Sequence, residues 1–305
     1  MGFSIGVDIG GTKIAAVITD QSGNVHYRNQ VESVGDDKEE MFNQVVLCVE
    51  ELLEASNISI DNIDGMGVGV PGKVDRDKGI AVFQNNLPWR NFPLVERLAE
   101  HFPIENIEID NDVYMAAFAE WQLSEVNEKD TFVYVTVSTG ISCSIIHNGD
   151  FLRGDGFAGE IGLFPVISRT SKEGVNNLEK AASGPAIQQL AREQLSNSRL
   201  TTQDFFLLYE KKEKQAEQLM KEIAESIAHG VYSIICLLDP HKIVFGGGVV
   251  NNNPHLLELV KESVKDYVIP EQQEAVTRMQ VSQLKEDSGV VGAGLKGMKN
   301  LHDLS

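Results

Sequence analysis

Asp8-Ile-Gly-Gly-Thr-Lys13 joins two short apolar runs, Phe3-Ser-Ile-Gly-Val7 and Ile14-Ala-Ala-Val-Ile18. Two such runs linked by a glycine pair predict a β-hairpin. The glycines let the backbone come close to a bulky anion, and successive N–H groups can form an anion-binding concavity. Thr12 adds a hydroxyl and Lys13 a positive charge. Asp8 fits beside an anion only with a divalent cation between them. The plainer alternative is a tight hairpin with an incidental acid.

Working outward, residues 20–23 read as a turn into a third strand over residues 25–30. Asp37 and Glu40 form a capping-box pattern before a helix whose apolar positions are Val45, Val46, Val49, Leu52 and Leu53. Residues 66–70 are a buried strand stopped by Pro71-Gly72, and residues 107–110 are another, followed by an alanine-rich helix over 113–122. A second series then begins. A strand at 132–137 precedes two segments, 144–147 and 150–153, that flank Asn148-Gly149, a strong two-residue hairpin signal. Helices are predicted over 179–195 and 215–238, and a strand over 243–245 runs into Gly246-Gly-Gly248. The chain closes with Asp287-Ser-Gly289 and an apolar helix over 290–298. The order of glycine hairpin, strands, helix, strand and helix thus repeats. No Pro/Ser-rich linker separates the halves, so a hinge is short and falls near residues 111–114.

The 305 residues suit two domains, and the 42% apolar content is ordinary for a globular chain. No apolar stretch approaches the roughly 18 residues of a membrane helix. Met1 is followed within a few residues by a strand, which argues against a signal peptide. Cys48, Cys143 and Cys236 lie far apart among apolar or small neighbours, so they read as buried free thiols of a reducing cytoplasm. A formal charge of −19 disfavours nucleic acid. It also repels ATP, so a nucleotide site would need Lys13, backbone donors and a metal ion.

The turn Ser138-Thr-Gly-Ile141 follows one strand and precedes another, as the first glycine turn does. Two such turns could clamp a polyphosphate, although a simple β-turn is the bland reading. Gly67-Val-Gly-Val-Pro-Gly72 fits G-x-G-x-x-G, but Pro71-Gly72 leads into turn-like residues 73–79 instead of a helix, which excludes a dinucleotide fingerprint. No P-loop or protein-kinase signature is present. Asp110-Asn111-Asp112 sits at a strand end, where side chains reach a crevice. Asn111 can donate to and accept from sugar hydroxyls, and Asp112 can take a hydroxyl proton as general base. The competing reading is a helix N-cap.

Seven segments occur in the order seen in the ROK family (repressor, open reading frame, kinase), which the chain resembles over nearly its whole length. They are Asp8–Lys13, Gly67–Gly72, Asn111-Asp112, Ser138–Ile141, Gly156-Phe-Ala-Gly-Glu-Ile-Gly162, Leu178-Glu179 and Val244-Phe-Gly-Gly-Gly248. The resemblance implies an α/β protein of actin-like ATPase (ribonuclease H-like) fold, with two α/β domains around a central cleft. The expected domains are residues 1–112 plus 289–305 and residues 113–288. It implies transfer of the ATP γ-phosphate to a hydroxyl, most readily O6, of a hexose or derivative such as glucose, N-acetylmannosamine, fructose or a β-glucoside. By the same resemblance, Asp112 is the catalytic base, and Gly72, Asn86, Asn111, Glu160 and Glu179 meet the sugar. Asp8, Gly10, Gly11, Thr12, Lys13, Thr139 and Gly140 form the phosphate cradle, with Asp8 toward Mg²⁺, and Gly246, Gly247 and Gly248 lie on the nucleotide side. A cytoplasmic homodimer with no membrane or nucleic-acid partner is expected.

Several positions depart from the family pattern. Leu163 replaces the histidine that usually follows Glu-Ile-Gly, and residues 163–177 lack the cysteine-rich zinc motif, so no zinc is expected. Ser142-Cys143-Ser144 replaces a glycine-rich run, Tyr114 an asparagine and Asp110 a glutamate. These changes motivate an alternative, a catalytically degenerate sugar-binding sensor. The repressors of the family carry a helix-turn-helix before the glycine hairpin, where this chain has seven residues before Asp8.

Overall fold

A computed structural model describes residues 2–84, 86–168 and 174–298. The chain divides into two compact units, residues 1–124 with 287–305, and residues 125–286.

The first unit opens with β1 (Phe3–Ile9), β2 (Lys13–Asp20) and β3 (Val25–Glu32), an antiparallel meander built on the glycine turn. Helix α1 (Lys38–Ser56) follows. Asp37 caps it by accepting from the N–H groups of Glu39 and Glu40, and Asn57 ends it with a φ of 54°. Next come β4 (Ile63–Val70), the small sheet β5 (Lys73–Asp75), β6 (Ile80–Phe83) and β7 (Arg90–Phe92), then α2 (Leu94–His101), β8 (Ile107–Asn111) and α3 (Asp112–Gln122). The main sheet has the order β3-β2-β1-β4-β8, with β4 and β8 parallel to β1. Its core joins Ile5, Val7 and Ile9 to Val45, Val49 and Leu52 of α1. Trp89 is fully buried against Phe92, with ring centroids 4.9 Å apart, and its indole N–H donates to the Lys38 carbonyl.

The second unit repeats this plan. Strands β9 (Thr131–Val137), β10 (Ile141–His147) and β11 (Asp150–Phe151) form the meander. Asn148 and Gly149 have φ of 53° and 78°, the left-handed pair that a tight hairpin between β10 and β11 requires. A two-stranded ladder, β12 (Pro165–Ile167) with β13 (Val175–Asn177), precedes α4 (Leu178–Ala182), α5 (Gly184–Gln194), α6 (Thr202–Glu210) and α7 (Lys214–Leu238). Then come β14 (Lys242–Gly246), α8 (Gly248–Asn252), α9 (His255–Lys265), α10 (Gln273–Thr277) and β15 (Met279–Val281). The sheet order β11-β10-β9-β14-β15, again with two antiparallel and two parallel pairings, matches that of the first unit.

The chain then returns to the first unit as α11 (Ser288–Lys296). Its glycines allow backbone-to-backbone packing. A methyl group added at Gly292 would lie 1.8 Å from the Met115 carbonyl oxygen of α3. Because α3 packs along α11, it stays with the first unit, and the division falls after Ser124 instead of at the expected residue 112. Residues 299–305 of the expected first domain lie outside the described residues.

Two local expectations need correction. The single helix predicted over 179–195 is two helices, because Pro185 cannot donate to a preceding turn and Ser183 starts a new helix by accepting from the Ala186 N–H. Cys48 and Cys143 are buried, but Cys236 is exposed on α7. Among the described residues no helix is long and apolar enough to cross a membrane.

Candidate active site

In the first unit the parallel strands end together. Asp8 on β1 pairs with Gly69 on β4, and Gly69 with Asp110 on β8, so three carboxyl-terminal strand ends form one row. The glycine turn beyond β1 closes through Gly10 N–H to the Lys13 carbonyl at 2.9 Å. Ser33 braces it, donating its hydroxyl to the Gly10 carbonyl and its N–H to the Thr12 carbonyl. Thr12 and Lys13 are exposed at its tip. Gly11 is needed for space: a methyl group there would come within 3.1 Å of the Asn86 Cβ and carbonyl oxygen. Asn86 therefore packs against the turn that the sequence reading gave to phosphate.

Asn111 is both a helix cap and a strut. Its Oδ1 accepts from the Val113 N–H at 2.9 Å and its Nδ2 donates to the Gly72 carbonyl at 3.0 Å. The two readings of Asn111 as cap and as site residue are thus compatible, since capping fixes where its amide lies. Gly72 has a φ of 80° and sits tightly on Phe83, which holds the turn after β4 in place.

Asp112 is the first residue of α3 and accepts from the Val113 N–H at 3.0 Å. Burial pushes its carboxyl above the ordinary range, against the lowering effect of the backbone N–H bonds. Asp8 is pushed up to about 7, first by burial and then by the charge of Asp112, with Lys13 opposing. A methyl group at Gly69 would lie 3.6 Å from both Asp8 Oδ1 and the Asp112 α-carbon, which puts the two acids beside the same strand residue. Gly289 at the start of α11 also borders Asp8: a methyl group there would lie 3.2 Å from Oδ2.

In the second unit, the turn between β9 and β10 closes through Ser138 N–H to the Gly140 carbonyl, with Thr139 exposed. Glu179 of α4 holds this turn. Its Oε2 accepts from the Ile141 N–H at 3.0 Å, and a methyl group at Gly140 would meet the same oxygen at 2.6 Å. Glu160 is raised by burial and then by the Glu179 charge, so the two predicted sugar carboxylates are neighbours. Gly247 has a φ of 85° and passes close to the Val137 carbonyl, which brings the glycine run after β14 against the end of β9. The altered run 142–144 is not part of the turn. It lies in β10, with Cys143 in the core and Ser144 buried. Burial, with the nearby Glu160 charge, pushes the Cys143 thiol up to about 12, so it is inert.

A cavity of about 800 Å³ opens beside this turn, lined by Thr139, Gln188, Phe206, Gly248, Val249 and Asn252 among others. Sequence reasoning missed its α5 and α6 walls. The signal was present, since Thr201 and Asp204 make a reciprocal capping box that starts α6. No group of three or more His, Cys, Asp or Glu among the described residues could hold a metal ion. Residues 169–173 of the stretch read as lacking a zinc motif lie outside the described residues.

The sequence profile of the ROK family matches residues 4–295. A glucokinase of Halalkalibacterium halodurans is 27% identical over 311 aligned residues, covering 95% of this chain and 93% of that protein. The ROK hexokinase of Thermus thermophilus superposes with a TM-score of 0.81 at 26% identity, covering 99% of each chain. A ROK family glucokinase of Streptomyces griseus, solved in complex with glucose and AMPPNP, superposes with a TM-score of 0.77 at 24% identity over 96% of this chain and 98% of its own. The fold is the one these solved proteins share.

Proposed function

The chain belongs to the ROK family, and on that premise we propose that it is an ATP-dependent kinase acting on the 6-hydroxyl of a hexose or hexose derivative. The observation that carries the reading is the Asp8 and Asp112 pair: two acids beside Gly69, both held above the ordinary carboxyl range. A carboxylate of raised basicity, anchored at a helix start, is suited to take a proton from an alcohol. In this reading the substrate oxygen attacks the γ-phosphorus as its proton passes to Asp112, and the bond to the ADP oxygen breaks. Phosphoryl transfer asks the protein for positioning and charge neutralisation more than for covalent chemistry.

Gly72, Asn86, Asn111, Glu160 and Glu179 are assigned to the sugar on the family resemblance. The cavity beside Thr139 suits a nucleoside, with amide and apolar walls together, and Gly246, Gly247 and Gly248 suit its phosphates. The relative solved with glucose and AMPPNP supports this pairing of ligands. Mg²⁺ fits the donor chemistry: Asp8 is a half-buried acid whose charge is opposed by its neighbour, and a hard cation held by one or two carboxylates plus phosphate oxygens would relieve it. When bound, the ion would neutralise charge on the transferred phosphate.

Of the changes that motivate the degenerate-sensor alternative, residues 142–144 stand in β10 with Cys143 and Ser144 buried, and the kinase reading is preferred. A coupled ADP-release assay with MgATP across glucose, N-acetylmannosamine, fructose and a β-glucoside tests it. Asp112→Asn is expected to keep the fold and sugar binding while turnover drops by about 10²- to 10⁴-fold. Near-normal turnover in that variant would overturn the assignment, and sugar binding without turnover in the unaltered chain would favour the sensor.

A further inference from the structure

The closing motif Asp287-Ser-Gly289 takes no part in the reading above, yet its three residues touch three different elements. Asp287 pairs with Arg28 of β3. The Ser288 hydroxyl donates to Glu120 Oε1 of α3 at 2.9 Å. Gly289 abuts the Asp8 carboxylate. Glu120 is 3% exposed and Ser288 2%. Burying an ionisable side chain in the tight seam between α3 and α11 is costly unless its oxygens are engaged. An apolar residue would pack there without that cost, so the acid calls for a reason.

We propose that Glu120 and Ser288 are positioning residues for Asp8. Their hydrogen bond fixes the first turn of α11, so that Gly289 holds the Asp8 carboxylate in the orientation offered to a divalent cation. The proposal rests on the reading of Asp8 as the residue that meets Mg²⁺. Outer partners of this kind set the orientation of a ligand they do not themselves replace, and losing one typically weakens metal affinity by about tenfold or more. Asp112 and Glu120 also stand on one helix. The contact that steadies the start of α11 thus steadies the element carrying the proposed base.

Binding of Mn²⁺–AMPPNP, followed by the water-proton relaxation enhancement that the protein adds to protein-free Mn²⁺–AMPPNP, separates the outcomes without requiring turnover. Ser288→Ala is expected to weaken Mn²⁺ about tenfold, and Ser288→Thr, which keeps a hydroxyl, to restore it. Glu120→Gln keeps an acceptor oxygen for the Ser288 hydroxyl and is expected to stay within about threefold of the unaltered protein. Asp8→Asn is the control. If Asp8→Asn leaves Mn²⁺ affinity unchanged, the reading of Asp8 itself fails. If Asp8→Asn abolishes binding while folded Ser288→Ala binds as the unaltered protein does, only the positioning proposal is overturned. A Ser288→Ala variant that melts earlier but keeps full affinity shows a purely structural bond, and also overturns it.

Discussion

Replacing Asp8 by asparagine is expected to stabilise the metal-free protein above neutral pH. In the folded chain the Asp8 carboxyl is raised from 3.8 to about 7, chiefly by burial and then by the Asp112 charge. Between those two values the folded state binds more protons than the unfolded state, so stability falls as pH rises through this window. Roughly three pH units at about 1.4 kcal/mol each give about 4 kcal/mol of destabilisation at pH 8. The side chain keeps some contact with solvent, so the gain on removing its charge is expected at about 2–4 kcal/mol. Urea unfolding in EDTA at pH 4.5 and pH 8 measures it. Both tryptophans, Trp89 and Trp121, belong to the first unit, so their fluorescence follows the unit that holds Asp8. The gain should be large at pH 8 and small at pH 4.5, where most Asp8 is protonated in the folded protein. Excess Mg²⁺ with nucleotide should narrow the difference by stabilising only the unaltered protein. A variant no more stable at pH 8, or equally stabilised at both pH values, refutes the argument.

Gly292→Ala drives a methyl group to 1.8 Å from a backbone oxygen of α3, so the seam between α3 and α11 must open. A loss of about 3 kcal/mol in urea unfolding is expected. Gly140→Ala meets only the end of the Glu179 side chain at 2.6 Å, so the fold should survive. With the carboxylate displaced, the sugar KM is expected to rise about tenfold while kcat changes less, as measured by the coupled assay. Asn111→Ala removes both a cap and the strut to Gly72; thermal melting should show a loss of about 1–2 kcal/mol, accompanied by weaker sugar binding.

Local grammar made much of this protein legible. The Asp8–Lys13 turn, the Asn148-Gly149 hairpin and the Asp37 cap follow from backbone preferences of a few adjacent residues, and each stands where it was expected. The double occurrence of the same element order foretold two sheets of one plan. Short helices were harder to read. Pro185 splits a run that looked continuous, and the α6 wall of the cavity was signalled only by its cap. Side-chain direction was harder still: β10 puts both Cys143 and Ser144 in buried positions, where a linear reading showed only a departure from a glycine-rich run.

The amino-acid order by itself determined which residues form the turns, caps and strand ends, because those states are settled by interactions within a few positions. Only the tertiary structure decided that Asp8 and Asp112 border the same strand residue, and that Glu179 holds a turn from 38 positions away. It likewise decided that Ser288 meets Glu120 while the next residue, Gly289, borders Asp8. Charge coupling and desolvation depend on distance through space, and that distance exists only once the sheets have formed and the last helix has packed.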